Sequence, residues 1–153
     1  MDVTIENEPT RVVAIERRTV PMSDLVAFFD TAFTKVGAAI AAAGATPDGP
    51  AIAWYHGMPT DTVDLAAGFP VSGLELGPLG DGVEVVEIPG GQVITAEHEG
   101  SYDGLPGAWD QVERFRVAGA HEVRGDFSEV YLTEPSPEGD PALNRTRLVL
   151  PLK

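Results

Sequence analysis

The sequence contains no cysteine. This absence excludes disulfide bonds, thiol nucleophiles and metal sites built on thiolates. A chain without disulfides fits the reducing cytoplasm, which is the location we expect for this protein. The first four residues, Met1-Asp2-Val3-Thr4, also lack the basic and apolar character of a secretory leader.

Basic residues are scarce as well: 10 lysines and arginines stand against 24 acids, for a formal net charge of −14. A nucleic-acid-binding surface needs a basic stripe, and the nearest approach to one is Arg11, Arg17 and Arg18 among acids. We therefore expect no direct nucleic-acid partner. No apolar run approaches the length of a membrane span, so no membrane partner is expected either. The acidity is typical of a soluble surface and would also concentrate cationic ligands.

Several motifs of catalysis and cofactor binding are missing. The three histidines, His56, His98 and His121, lie too far apart for a local metal motif, and no His-Glu-x-x-His pattern occurs. The Gly-rich segment from Gly73 to Gly82 is not followed by Lys-Ser or Lys-Thr, so it does not predict a phosphate-binding loop. No Gly-x-Ser-x-Gly elbow of a serine hydrolase is present. We expect no metal site and no cofactor.

Two helices and a series of short strands are predicted. The first helix begins at Ser23, a favoured N-cap, and ends before Gly44. A second helix is predicted near Leu105 to Ala120, and a polar, Pro-rich loop from Glu134 to Asp140. The apolar stripe of the first helix consists of Leu25, Val26, Phe29, Phe33, Val36 and Ile40.

The order of elements repeats along the chain. Each half reads as strand, strand, helix, strand, strand, and residues 12–16 correspond to residues 93–97. The halves cover about 1–72 and 83–153, with a Gly/Pro-rich linker at 73–82. Strands joined by short turns pair in antiparallel fashion. The sequence therefore predicts one α+β domain: two antiparallel-sheet halves, related by a pseudo-twofold axis, with a ligand cleft between them.

The strand predicted around Glu129 carries a carboxylate between two aromatic residues. Alternation places Phe127, Glu129 and Tyr131 on one face, and the other face is also apolar. A carboxylate on a strand covered on both sides is costly to bury without a partner. From the strand alone, two interpretations of Glu129 are equally well supported: a buried functional carboxylate, or an ordinary one that is solvated or ion-paired with Arg145 or Arg147.

A set of motifs along the chain resembles the GyrI-like effector-binding domain family. That family includes the C-terminal sensor domains of AraC-type and MerR-type bacterial regulators, and the resemblance covers nearly the whole chain. The order and spacing of the motifs are more specific than any one of them. The motifs are residues 66–71, His98-Glu99-Gly100-Ser101-Tyr102, Leu105, Trp109, Glu129-Val130-Tyr131, Thr146 and the closing Leu150-Pro151-Leu152.

The resemblance implies a ligand cleft at the pseudo-dyad, in which a glutamate pairs with lipophilic cations. Glu129 falls on that position. By the internal repeat, Trp54 is assigned to the core and Tyr55 to the cleft, whereas Trp109 is equally well a core residue. The aromatic residues expected around the ligand are Tyr131, Tyr55, Tyr102, Trp109 and Phe69.

Three functions are compatible with this resemblance. The first, which we favour, is a freestanding small-molecule-binding protein of the multidrug-binding kind, because the DNA-binding domain of the regulators is not seen ahead of residue 1. A separate regulatory protein would then be its partner. The second is a hydrolase that opens cyclopropane rings, with Glu129 as general base and Tyr131 or Tyr102 stabilising the leaving oxygen. The third is an acidic inhibitory partner of another protein, such as a gyrase inhibitor.

Overall fold

Two helices and a set of short strands make up the fold, which a computed structural model describes for residues 1–133 and 139–153. Most of the loop predicted at 134–140 lies outside these described residues. Helix α1 spans Leu25–Ala42 and helix α2 spans Leu105–Ala118. The strands of the described chain are β1 Thr4–Glu8, β2 Arg11–Pro21, β3 Ile52–Tyr55, β4 Thr62–Pro70, β5 Gly77–Gly80, β6 Val83–Ile88, β7 Gly91–Glu99, β8 Phe127–Tyr131 and β9 Arg145–Pro151.

These strands form one antiparallel sheet in the order β1-β7-β9-β8-β3-β4-β2-β6-β5. Its centre is the pair β8 and β3, in which Glu129 lies opposite Ala53. Both helices cover the same face, since Phe127 packs against the apolar clusters beneath α1 and beneath α2. The predicted α+β class with two antiparallel halves is confirmed. The halves share one continuous sheet, so the space between them lies on one face of that sheet, between the helices.

The two halves exchange their first strands. Strand β1 pairs with β7 of the second half, whereas β6 of the second half pairs with β2. The connections β1–β2 and β6–β7 meet as a result, and the Gly90 N–H donates to the Thr10 hydroxyl at 3.0 Å. A Cβ atom at Gly90 would lie 2.3 Å from the Glu8 carbonyl oxygen. This close approach of two backbones requires glycine.

Helix α1 departs from the predicted stripe at two positions in its first turns. A 3₁₀ turn, Met22–Asp24, precedes the helix, so Ser23 lies in that turn and Asp24 is the N-cap, without a side-chain capping bond. Phe28 is buried, whereas Val26 is 74% exposed. The later turns of the stripe are buried as predicted.

The helical region Met22–Ala42 is long and apolar enough to cross a membrane, judged by length and composition alone. This corrects the expectation that no apolar run reaches that length. In the fold, Val36 and Ile40 of this region are fully buried in one cluster with Ala14 of β2 and Val85 of β6. Packing on the sheet therefore accounts for the apolar character of its inner face.

The segment predicted as a linker at 73–82 contains a strand. Strand β5 pairs with β6 at the edge of the sheet, with Gly77 opposite Val85. The turn that follows places Asp81 at a φ of 55°, a left-handed conformation that aspartate tolerates better than most residues. The boundaries of the two halves stay a prediction.

Candidate functional site

Glu129 lies at the middle of the sheet, on the face that the helices cover. Strand β8 is paired on both sides, with β3 and with β9, so the backbone of Glu129 is enclosed. The residue is 7% exposed, although it carries a carboxylate. A buried carboxylate is unfavourable unless hydrogen bonds or a cation compensate it.

Two neutral donors hold this carboxylate. The Trp109 indole Nε1 donates to Oε2 at 2.8 Å, and the Tyr131 hydroxyl donates to Oε1 at 2.9 Å. Neither arginine considered from the sequence is its partner, because Arg145 pairs with Glu97 and Arg147 pairs with glutamates at positions 6 and 8. No lysine, arginine or histidine within residues 1–133 and 139–153 forms an ion pair with Glu129.

A second buried carboxylate in this fold has a cation that compensates its charge. Glu16 on β2 is 3% exposed, and the Lys35 ammonium from α1 lies 2.6 Å from its Oε2. The Arg18 guanidinium is 3.8 Å away. Thus one buried glutamate carries an internal cation, and Glu129 carries hydrogen bonds alone.

Aromatic side chains surround Glu129 from both halves. Tyr55 of β3 stacks on Phe127 with ring centroids 4.8 Å apart, and Trp109 meets the same Phe127 edge-on at 5.1 Å. Tyr102, in a 3₁₀ turn before α2, lies edge-on to Tyr131 at 5.8 Å. The structure therefore brings together four of the five aromatic residues predicted for the site.

Phe69 is connected to this cluster through the ring of Phe33. Its ring contacts Phe33 of α1 at 5.7 Å, and Phe33 in turn meets Tyr131 at 6.4 Å. Two aromatic residues beside the predicted set, Phe127 and Phe33, were not proposed from the sequence. Phe127 shares the strand face of Glu129, which is a signal for it, whereas Phe33 has the helical spacing of any core residue.

The three tyrosines remain protonated donors. Burial and the negative charge of Glu129 both raise the pKa of Tyr55, of Tyr102 and of Tyr131. Each hydroxyl therefore keeps its proton at neutral pH. Trp54, by contrast, packs with Val13 and Ile15 on the opposite face of the sheet.

Aromatic side chains pack around Glu129. Two large surface cavities, of about 530 and 640 Å³, lie elsewhere, the first beside Pro50 and Pro70 and the second beside His98 and Gly107. Within the described part of the chain, no three histidine or acidic side chains are placed to hold a metal ion.

Comparisons with known proteins give a consistent result. The model of the GyrI-like small molecule binding domain matches residues 1–153. No protein with a curated description matches the sequence.

Four solved structures share the fold. EcmrR in complex with DNA superposes with a TM-score of 0.83 at 19% identity, covering 99% of this chain, which spans only 57% of that one. The EcmrR C-terminal domain alone gives 0.80 at 18%, over 99% and 97% of the two chains. SAV2435 bound to tetraphenylphosphonium gives 0.73 at 10%, over 100% and 94%. A hydrolase from Listeria innocua gives 0.68 at 11%, over 99% and 92%.

Proposed function

Since this chain belongs to the GyrI-like small molecule binding domain family, we propose that it binds lipophilic cations at Glu129. One observation carries the proposal. Glu129 is a buried carboxylate that has hydrogen-bond donors but no cation among the described residues. A bound cation would supply the charge that Lys35 supplies to Glu16.

The aromatic walls add to the attraction for such a ligand. A cation over an aromatic face gains roughly 0.5–2 kcal/mol, more where water is excluded. Ring faces impose little hydrogen-bond geometry, so several cation shapes are accommodated by one fixed charge. The shared fold of SAV2435, which was solved with tetraphenylphosphonium, supports this class of ligand. The shared fold of EcmrR, which was solved on DNA, supports a sensor role that a DNA-binding partner or domain would read.

The two tryptophans make a direct test possible. Trp109 donates to Glu129, whereas Trp54 on the opposite face donates to Asp126 at 2.8 Å. The Trp54→Phe variant therefore leaves a single indole, inside the site. Titration of this variant with tetraphenylphosphonium and other lipophilic cations is expected to change Trp109 fluorescence with micromolar affinity.

The matched comparison is between the two buried glutamates. Glu129→Gln is expected to weaken binding tenfold or more, about 1.4 kcal/mol, because it removes the carboxylate charge that pairs with the cation. Glu16→Gln removes a buried carboxylate that already has its cation, so affinity is expected to stay unchanged. Equal binding by wild type and Glu129→Gln would contradict the proposal.

A hydrolytic role is less well supported. Both Glu129 oxygens accept a hydrogen bond, one from Tyr131 and one from Trp109, and each keeps a second acceptor site that a water could use. The support for hydrolysis is the fold shared with a hydrolase from Listeria innocua, at 11% identity. Recovery of each ligand after incubation, analysed by mass spectrometry, tests this point: binding alone returns the ligand unchanged.

A further inference from the structure

Two buried hydroxyls near Glu129 have no hydrogen-bond partner among residues 1–133 and 139–153. They are the Tyr102 hydroxyl and the Thr146 Oγ1. Thr146 is fully buried on β9, where it lies opposite Tyr131 of β8 and opposite His98 of β7. Buried polar atoms without partners are rare in folded proteins, so each one calls for an explanation.

A neighbouring threonine shows the usual arrangement. Thr95 on β7 is also buried, and its hydroxyl donates to the Leu148 carbonyl oxygen of β9 at 2.9 Å. The same sheet can therefore satisfy a buried threonine hydroxyl through its own backbone. Thr146 does not use this solution.

Both unpartnered hydroxyls belong to the surroundings of the carboxylate. Directly opposed residues of paired strands share a face, so Thr146 lies on the face of Tyr131, whose hydroxyl donates to Glu129. The Tyr102 ring lies 5.8 Å from the Tyr131 ring. Burial, and then the charge of Glu129, raise the pKa of Tyr102.

We propose that the hydroxyls of Tyr102 and Thr146 form a polar subsite, so that the preferred ligand is an organic cation that also carries a hydroxyl group. A ligand hydroxyl both donates and accepts, and it therefore suits two protein hydroxyls that can do the same. The inference rests on the proposed function, because the cationic part of the ligand is assigned to Glu129. It adds a requirement that an all-hydrocarbon cation does not meet.

Matched ligands test this requirement. Benzyldimethyl(2-hydroxyethyl)ammonium and its 3-hydroxypropyl homologue are compared with the propyl and butyl analogues, which have the same chain length without the oxygen. At least one hydroxylated cation is expected to bind about fivefold more tightly than its analogue, the usual gain from one net hydrogen bond. In Tyr102→Phe/Thr146→Val the preference is expected to disappear. Equal affinities in the wild type, or a preference that survives in the double variant, would overturn the subsite.

Stability of the ligand-free protein gives an independent readout. Thr146→Val removes an unpartnered hydroxyl, so its melting temperature is expected to equal or exceed that of the wild type. Thr95→Val removes a satisfied hydroxyl away from the site and is expected to melt at about 2–4 °C lower, with ligand preference unchanged. Equal destabilisation by both variants would mean that Thr146 has an internal water as partner, which refutes the subsite.

The two proposals fail differently. If tetraphenylphosphonium binds but no hydroxylated cation is preferred, the subsite is wrong and the cation site stands. If none of these cations binds, the cation site is wrong and the subsite falls with it.

Discussion

The Tyr131 hydroxyl supplies one of the two hydrogen bonds that hold the buried carboxylate, at 2.9 Å from Glu129 Oε1. Tyr131→Phe deletes this bond and keeps the ring that packs against Phe33 and Tyr102. A hydrogen bond to a charged group contributes about 1.5–3 kcal/mol, and one between neutral groups about 0.5–1.5 kcal/mol. We therefore expect Tyr131→Phe to lower the free energy of unfolding by about 1.5–3 kcal/mol at pH 7.

A double-mutant cycle with Glu129→Gln isolates the part due to charge. In that background the cost of Tyr131→Phe is expected to fall to about 0.5–1.5 kcal/mol, because the acceptor is then neutral. The measurement is urea unfolding followed by circular dichroism, with constant m-values as the check on two-state behaviour. An equal cost in both backgrounds would refute the view that Glu129 is a buried charge held by this hydroxyl.

Three further outcomes follow from residues elsewhere in the fold. Lys35→Met leaves Glu16 without its nearest cation and is expected to cost about 3 kcal/mol in urea unfolding. Gly68→Ala would bring a Cβ atom within 1.8 Å of a carbonyl oxygen on β2, so thermal unfolding should show no cooperative transition. Gly37→Ala, in α1 with no atom within 4 Å of the added Cβ, should gain about 0.5–1 kcal/mol. Burial opposes ionisation of Asp126, but hydrogen bonds from a guanidinium and an indole lower its pKa. The stabilisation from ionised Asp126 is present above its ordinary pKa of 3.8 and is lost as the pH falls through the lower pKa of the folded protein. On acidification below about pH 4, Asp126→Asn should therefore lose less stability than the wild type.

Strand periodicity predicted which residues share the face of Glu129, whereas the assignment of that face to a ligand cleft came from the family resemblance. Alternation along β8 places Glu129 and Tyr131 on one face, and the internal repeat places Tyr55 there too. Periodicity did not decide whether Trp109 is a core residue or a site residue. In the structure it is both, because its ring packs on Phe127 while its indole nitrogen donates to the carboxylate.

Other features depend on interactions that local sequence does not contain. The exposure of Val26 and the burial of Phe28 depend on how α1 lies against the sheet, which helical spacing alone does not determine. The Gly-Pro composition of β5 is typical of turns and therefore predicts a linker. Hydrogen bonding to β6 makes the segment an edge strand instead. The surroundings of Thr146 come from β7, β8 and β9, which are distant in sequence and become neighbours only in the folded sheet.

The strand exchange between the halves has a consequence for synthesis on the ribosome. Thr4 of β1 pairs with Thr95 of β7, so β1 emerges long before its partner exists. At about 5–20 residues per second, the delay is roughly 5 s or more. An unpaired strand is an aggregation hazard during such a delay, and like-charged residues reduce it. Strand β1 has the sequence Thr-Ile-Glu-Asn-Glu, and its two carboxylates repel other nascent copies of the same strand. The acidity of this strand therefore protects the chain before it has a fold.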